Sequence, residues 1–119
     1  MTPEDKELLL KDLCARLPYG VKVSTPDDVS RTITRMNIDR NLIEVGNYID
    51  DVYVLSDIKP YLFPLSSMTE EQEKEWRYTL SSDGNITYDT VDWCNKNHFD
   101  YRGLIPMGLA NDATELNIY

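Results

Sequence analysis

Cysteine, histidine and glycine are all scarce in this chain of 119 residues, and each shortage removes a class of function. The two cysteines, Cys14 and Cys94, lie far apart and neither belongs to a Cys-x-x-Cys pair, so no disulfide framework is expected. A structural zinc needs four ligands, and with His98 as the sole histidine the chain is expected to hold no metal. Five glycines are scattered singly, so there is no glycine-rich phosphate loop; G-x-S-x-G, H-E-x-x-H and calcium-loop spacings are missing as well, and no cofactor is expected. Basic residues number 12 against 21 acidic ones, a net charge of -9, which opposes binding to a phosphate backbone or an anionic membrane. No apolar run approaches the roughly 18 residues of a membrane span. The N-terminal MTPEDKELLL carries acids where a signal peptide carries bases. A cytoplasmic location is expected, in which the Asn85-Ile86-Thr87 triplet has no consequence.

What remains is ordinary globular usage, 41% hydrophobic and 28% charged, enough for one domain over 1–119 with a core that needs no cross-links. Repeats, low-complexity segments and linkers are not evident. The acids run from Glu4 to Glu115, mixed with bases, which suits a solvated surface; the sharper alternative is an acidic mimic of nucleic acid.

Along the chain, Thr2 is placed to cap a first helix, with Pro3 at its first position and Asp5 as the reciprocal group. Leu10, Leu13, Cys14 and Leu17 recur at helical spacing, making Cys14 a small core residue, while Lys6, Lys11, Asp12 and Arg16 are expected to face out. Leu8 and Leu9 widen the stripe, so the helix should lie across a sheet, and Pro18 and Gly20 end it. The period then falls to two. Strands are expected at Val21–Ser24, Val29–Ile38 and Leu42–Val45, with Thr25–Asp28 and Asp39–Asn41 turning and a break at Gly46-Asn47. The apolar run Val52–Leu55 suits a central strand buried on both faces. Ile58–Leu65 carries two prolines and reads as an edge strand or extended connection. Thr69 and Gln72 form a capping box for a second helix running through Trp76 and Leu80. Its Glu70, Glu71, Glu73 and Glu75 spread around the circumference instead of converging as a metal site would require. After the Ser81–Asn85 turn, a third helix is expected from Tyr88 or Asp89 to about Asn97 with Thr87 as cap; beyond Gly103 the chain lacks periodicity and should pack loosely, fraying at its end.

The stretch Tyr88–Leu109 holds the chemistry that exists. Cys94 and His98, four apart, share a helix face, and with Asp100 nearby they supply the alternative of an enzyme using His98 with Asp100 or Cys94. The economical reading is structural: Val91, Trp93 and Cys94 make an apolar face, His98 sits in the last turn as a partly charged imidazole favoured by the helix dipole, and Asp100 pairs with Arg102 to fix the bend before Gly103.

Three segments, KELLLKDLCARLPYGVKV at 6–23, IKPYLFPLSSMTEEQ at 58–72 and DWCNKNHFDYRGLI at 92–105, resemble a family of short uncharacterised proteins of gut bacteria and their prophages. That family is similar at both ends of the chain and less so in the middle. Leucine is usual in it where this chain has Cys94, which implies packing for that residue; the resemblance implies a mobile-element setting and supplies no activity. Helix, strands, helix, helix argue an α+β fold, a bent antiparallel sheet of three to five strands with helices on one side or end, and a small SH3- or Sm-like barrel with helices as the alternative. The expected function is non-enzymatic binding to an unknown protein partner, without direct contact to nucleic acid or membrane, through a surface joining Tyr61, Phe63, His98, Tyr101 and Arg102.

Overall fold

The computed structural model describes residues 1–27, 30–46 and 51–119. Helix α1, Pro3–Arg16, opens on the expected capping box: Thr2 Oγ1 accepts the Asp5 amide at 3.1 Å, and the Asp5 carboxylate accepts the Thr2 amide at 3.3 Å. A 3₁₀ turn over Leu17–Tyr19 follows, and Gly20 leaves it with φ +69. Six strands come next in space: β1 Lys22–Ser24, β2 Ser30–Asn37, β3 Leu42–Val45, β4 Val52–Val54, β5 Lys59–Leu62 and, near the C-terminus, β6 Asn111–Asp112. Two further helices, α2 at Glu70–Thr79 and α3 at Tyr88–Lys96, lie between β5 and β6. The α+β class is as the sequence indicates. Val29, Asp28 and Asn47, where parts of the strand and turn expectations fall, lie outside the described residues.

The strand order is β4-β3-β2-β1-β5-β6. It corrects the sequence reading in two ways. Among the described residues the sheet has six strands, and it is mixed: β5 and β6 run parallel, pairing Tyr61 with Asn111 and Leu62 with Asp112, whereas the other neighbours are antiparallel. Strands β1 to β5 are antiparallel in the order β4-β3-β2-β1-β5, with β2 shared by two sub-sheets and a 3₁₀ turn over Leu55–Asp57 between β4 and β5, an order compatible with the small barrel named as the alternative. Edge and interior are also exchanged. Among the described residues the apolar β4 pairs only with β3 and leaves Val52 and Val54 exposed, while the proline-bearing β5 lies between β1 and β6. Pro60 is tolerated there because β6 begins one residue later, opposite Tyr61. A β-bulge at Thr34, where Ile33 faces Val45 and Arg35 faces Glu44, adds local twist to the β2–β3 pair.

The core joins Leu9 and Leu13 of α1 to Val21, Val23, Ile33, Ile43 and Val45 of the first strands and their flanks, to Leu55, Ile58 and Leu62 around β5, and to Leu104, Leu109 and Ala110 of the tail. The tail is therefore packed, in contrast to the expected fraying: Ala113 is buried too, and its amide donates to Leu62 O at 2.8 Å. The buried face of α1 is rotated by one residue from the expected one. It consists of Leu9, Asp12, Leu13 and Arg16, and Cys14 is exposed.

Candidate functional site

Helix α3 starts on a box in which Thr87 and Thr90 each accept the other's amide, at 3.3 and 3.0 Å. It ends in a Schellman turn. The Phe99 amide donates to Cys94 O at 2.8 Å and the His98 amide to Asn95 O at 3.3 Å, which places His98 at the left-handed position, φ +63, that glycine usually fills. Its imidazole lies flat against the Tyr119 ring, with centroids 3.7 Å apart and planes within 13°. His98 is buried, and its Nδ1 has no hydrogen-bond partner among the described residues. Burial first, then the positive charges of Arg16 and Lys22, push its pKa down to about 4, so the ring is neutral at pH 7 and not the charged helix-end group expected.

Tyr119 fastens the far side of this stack. Its hydroxyl accepts the Lys22 amide and donates to Tyr61 O, both at 2.8 Å, standing in for the rung that β1 and β5 would share beyond the Val23–Pro60 pair. Lys22 Nζ donates to Ile118 O at 2.7 Å. Rings continue from Tyr119 to Phe63 at 5.9 Å, from Phe63 to Phe99 at 5.9 Å, and from Phe99 to Trp93, stacked at 5.3 Å. Replacing Tyr119 by Phe removes two hydrogen bonds and leaves the rings, so a loss of about 1 to 2 kcal/mol is expected in urea unfolding, with faster exchange of the Lys22 amide. An unchanged exchange rate would show that the hydroxyl holds nothing together.

The groups named for catalysis are not brought together as a reactive set. Asp100 does not pair with Arg102; its two oxygens accept the Leu104 and Ile105 amides, each at 2.9 Å, and so fix the turn before the tail. Cys94 is buried, and burial pushes its thiol pKa up, away from nucleophilic character. Among the described residues no three His, Cys, Asp or Glu side chains gather at one point.

Asp12 and Arg16, read as solvent-facing, form the charged centre of this region, and both side chains are fully buried. Arg16 Nε donates to Asp12 Oδ2 at 2.9 Å, Nη2 to Phe99 O at 2.6 Å and Nη1 to Cys94 O at 3.4 Å, so one guanidinium binds the end of α1 to the last turn of α3. Arg102 Nε stands 3.3 Å from Asp12 Oδ1, an ion pair by distance whose angle makes no hydrogen bond. Both guanidinium groups approach the Tyr101 ring, at 5.4 Å for Arg16 and 5.0 Å for Arg102. Burial raises the Asp12 pKa although Arg16 and Arg102 oppose the shift.

Of the five residues expected to form a partner surface, His98 is buried, Tyr61, Phe63, Tyr101 and Arg102 are half-buried, and all five contribute to the internal ties just described. A more open apolar surface lies beside α2 and α3, at Leu65, Tyr78, Ile86 and Tyr88. Helix α2 has no buried residue. It is held to α3 by polar contacts: Thr79 O accepts from Thr87 Oγ1 at 2.6 Å, Thr79 Oγ1 donates to Thr90 Oγ1 at 3.0 Å, and Trp93 Nε1 donates to Glu75 at 3.3 Å. Between the helices a cavity of about 80 Å³ is walled by Leu65, Trp76, Ile86, Thr90, Val91, Cys94 and Tyr101. Two shallower hollows share its walls, one of about 270 Å³ through Leu65 and Trp76, the other of about 300 Å³ through Ile86 and Val91. Ile86 is 66% exposed, and Tyr78 and Tyr88 are 90% and 91% exposed. The trough is hard to read from the sequence because α2 sets its two large aromatic residues, Trp76 and Tyr78, among charges. The sequence signal was the pair Ile86 and Tyr88, apolar groups flanking the cap of α3.

No family model, curated protein or solved structure matches this chain.

Proposed function

We propose that the protein is a non-enzymatic protein-binding module of a mobile element or prophage, and that it engages its partner through the trough between α2 and α3. The observation that carries this reading is the construction of α2, a helix seated by polar ties with every residue at least partly exposed, bordering a run of connected apolar hollows. Helices of folded domains ordinarily bury an apolar stripe, and a connected apolar surface left uncovered marks a site of association. The buried, neutral His98 and the structural hydrogen bonds of Asp100 support the same side of the choice between binding and catalysis. The mobile-element setting rests on the resemblance of the three segments described above.

Affinity purification from the native host should recover a partner with the wild-type chain. Combined Ile86→Asp and Tyr88→Ser replacement should reduce that recovery at least tenfold while changing stability by less than about 0.5 kcal/mol, since both side chains are largely exposed. Equal recovery by the variant would remove the trough from the function.

A further inference from the structure

Resting on that reading, we infer that the occupant of the α2–α3 trough is a basic amphipathic helix presented by the partner protein. Three connected hollows in series provide seats for apolar side chains, and one face of a helix presents such side chains at i, i+3 or i+4, and i+7. The charge of the elements that border the trough selects the rest of the ligand. From the start of α2 to the end of α3, residues 70–96, seven carboxylates are accompanied by three bases, Lys74, Arg77 and Lys96. One of those carboxylates, Glu73, is itself part of the wall of the outer hollow beside Leu65 and Trp76. Arg77 answers Glu73 at 2.7 Å and Glu75 accepts from Trp93, whereas Glu70, Glu71, Asp83, Asp89 and Asp92 have no ion-pair partner among the described residues.

An apolar helix face entering this trough thus brings its flanks against negative charge, and Lys or Arg on those flanks complements it. The same charge disfavours the other occupants. A second copy carries -9 itself and would set one acidic rim against another, and an anionic membrane or a nucleic acid meets the same repulsion. The bound helix would lie along Trp76, Ile86 and Val91 and cover the walls that α2 leaves open.

The test is selection from a displayed library of helical peptides, with apolar residues fixed at i, i+4 and i+7 and acidic, basic or neutral residues allowed elsewhere, against the whole chain. Enriched peptides should be net positive and should lose at least tenfold in affinity on Ile86→Asp, with an unchanged melting temperature. They should also weaken severalfold on Glu73→Lys and as salt rises from 0.05 to 0.5 M. Peptide titration should shift the NMR signals of Trp76, Ile86 and Val91. Enrichment of neutral or acidic peptides that are still lost on Ile86→Asp would overturn the basic occupant and leave the trough as a protein-binding site. Absence of any enriched peptide, or enriched peptides indifferent to Ile86→Asp, would overturn the occupant and the docking site together. Self-association in sedimentation that Ile86→Asp abolishes would assign the trough to a second copy, and binding to vesicles of anionic lipid that the same change abolishes would assign it to a membrane; each overturns the inference.

Discussion

Replacing Arg16 by Met is expected to lower stability by roughly 3 to 5 kcal/mol, a large fraction of what a domain of this size possesses. The cause is the carboxylate left behind. Asp12 is fully buried, its pKa is already raised by that burial, and the Arg16 guanidinium at 2.9 Å is the main opposing influence. Without Arg16, Asp12 must take up a proton or keep an uncompensated charge, with Arg102 as its one remaining partner. A second replacement, Asp12→Leu, is therefore expected to restore most of the loss, since the Cys94 and Phe99 carbonyls keep the amides of Phe99 and Tyr101 as donors. The pH dependence follows the same logic. A carboxyl group whose folded pKa is raised is stabilising below its unfolded pKa and loses that contribution as pH rises through the folded value, so the deficit of the single variant should shrink toward acid pH. Urea unfolding of the two single variants and the double variant at pH 4 and pH 7 measures all of this. A single-variant cost below 1 kcal/mol, or a double variant as unstable as the sum of the singles, would mean that the pair does not join α1 to α3.

The legible parts of this fold were the local ones. Thr2 with Asp5, Thr69 with Gln72, and Thr87 each capped the helix that the sequence indicated, because a cap is decided within four residues. Strand positions in the first half were legible for a similar reason, since alternation is a property of the strand itself. Strand order was not, because it depends on distant residues: nothing in Lys59–Leu62 says that Asn111 and Asp112 will cover it. The tail was opaque because Leu104, Leu109, Ala110 and Ala113 are buried from turns and a two-residue strand, which leave no period to read.

In α1 the buried face does have a period in the sequence. Leu9, Asp12, Leu13 and Arg16 fall at i, i+3, i+4 and i+7, so a stripe running through an Asp–Arg pair was available to anyone willing to bury both charges together. The charges of α2 conceal the site in the same way. α2 looked like a solvated helix, and only its neighbours Leu65, Ile86 and Val91 turn its Trp76 into the wall of a trough.

Acidification from pH 7 should destabilise the protein through His98 by an amount approaching about 3 kcal/mol, the equivalent of moving its pKa from 6.5 to about 4. The direction follows from proton counting. Between those two values the unfolded chain binds a proton at this imidazole and the folded chain does not, so stability falls with pH across that interval and is complete above about 6.5. In the folded chain a proton would place a charge on a buried ring, beside the positive charges of Arg16 and Lys22, with no acceptor at Nδ1. The carboxylates of so acidic a chain titrate nearby, and the control must remove the imidazole without disturbing the turn. Asn suits the left-handed position, so His98→Asn retains the backbone at φ +63 and deletes the titrating group together with its stack on Tyr119. The difference in unfolding free energy between wild type and this variant should be largest near neutral pH and decline steadily toward pH 4. A difference independent of pH would place the His98 proton equilibrium outside the folding reaction. Gly at the same position separates backbone from ring: it relieves the left-handed residue, and if His98→Gly is nonetheless less stable at pH 7, the His98–Tyr119 stack outweighs the backbone cost of carrying a side chain there.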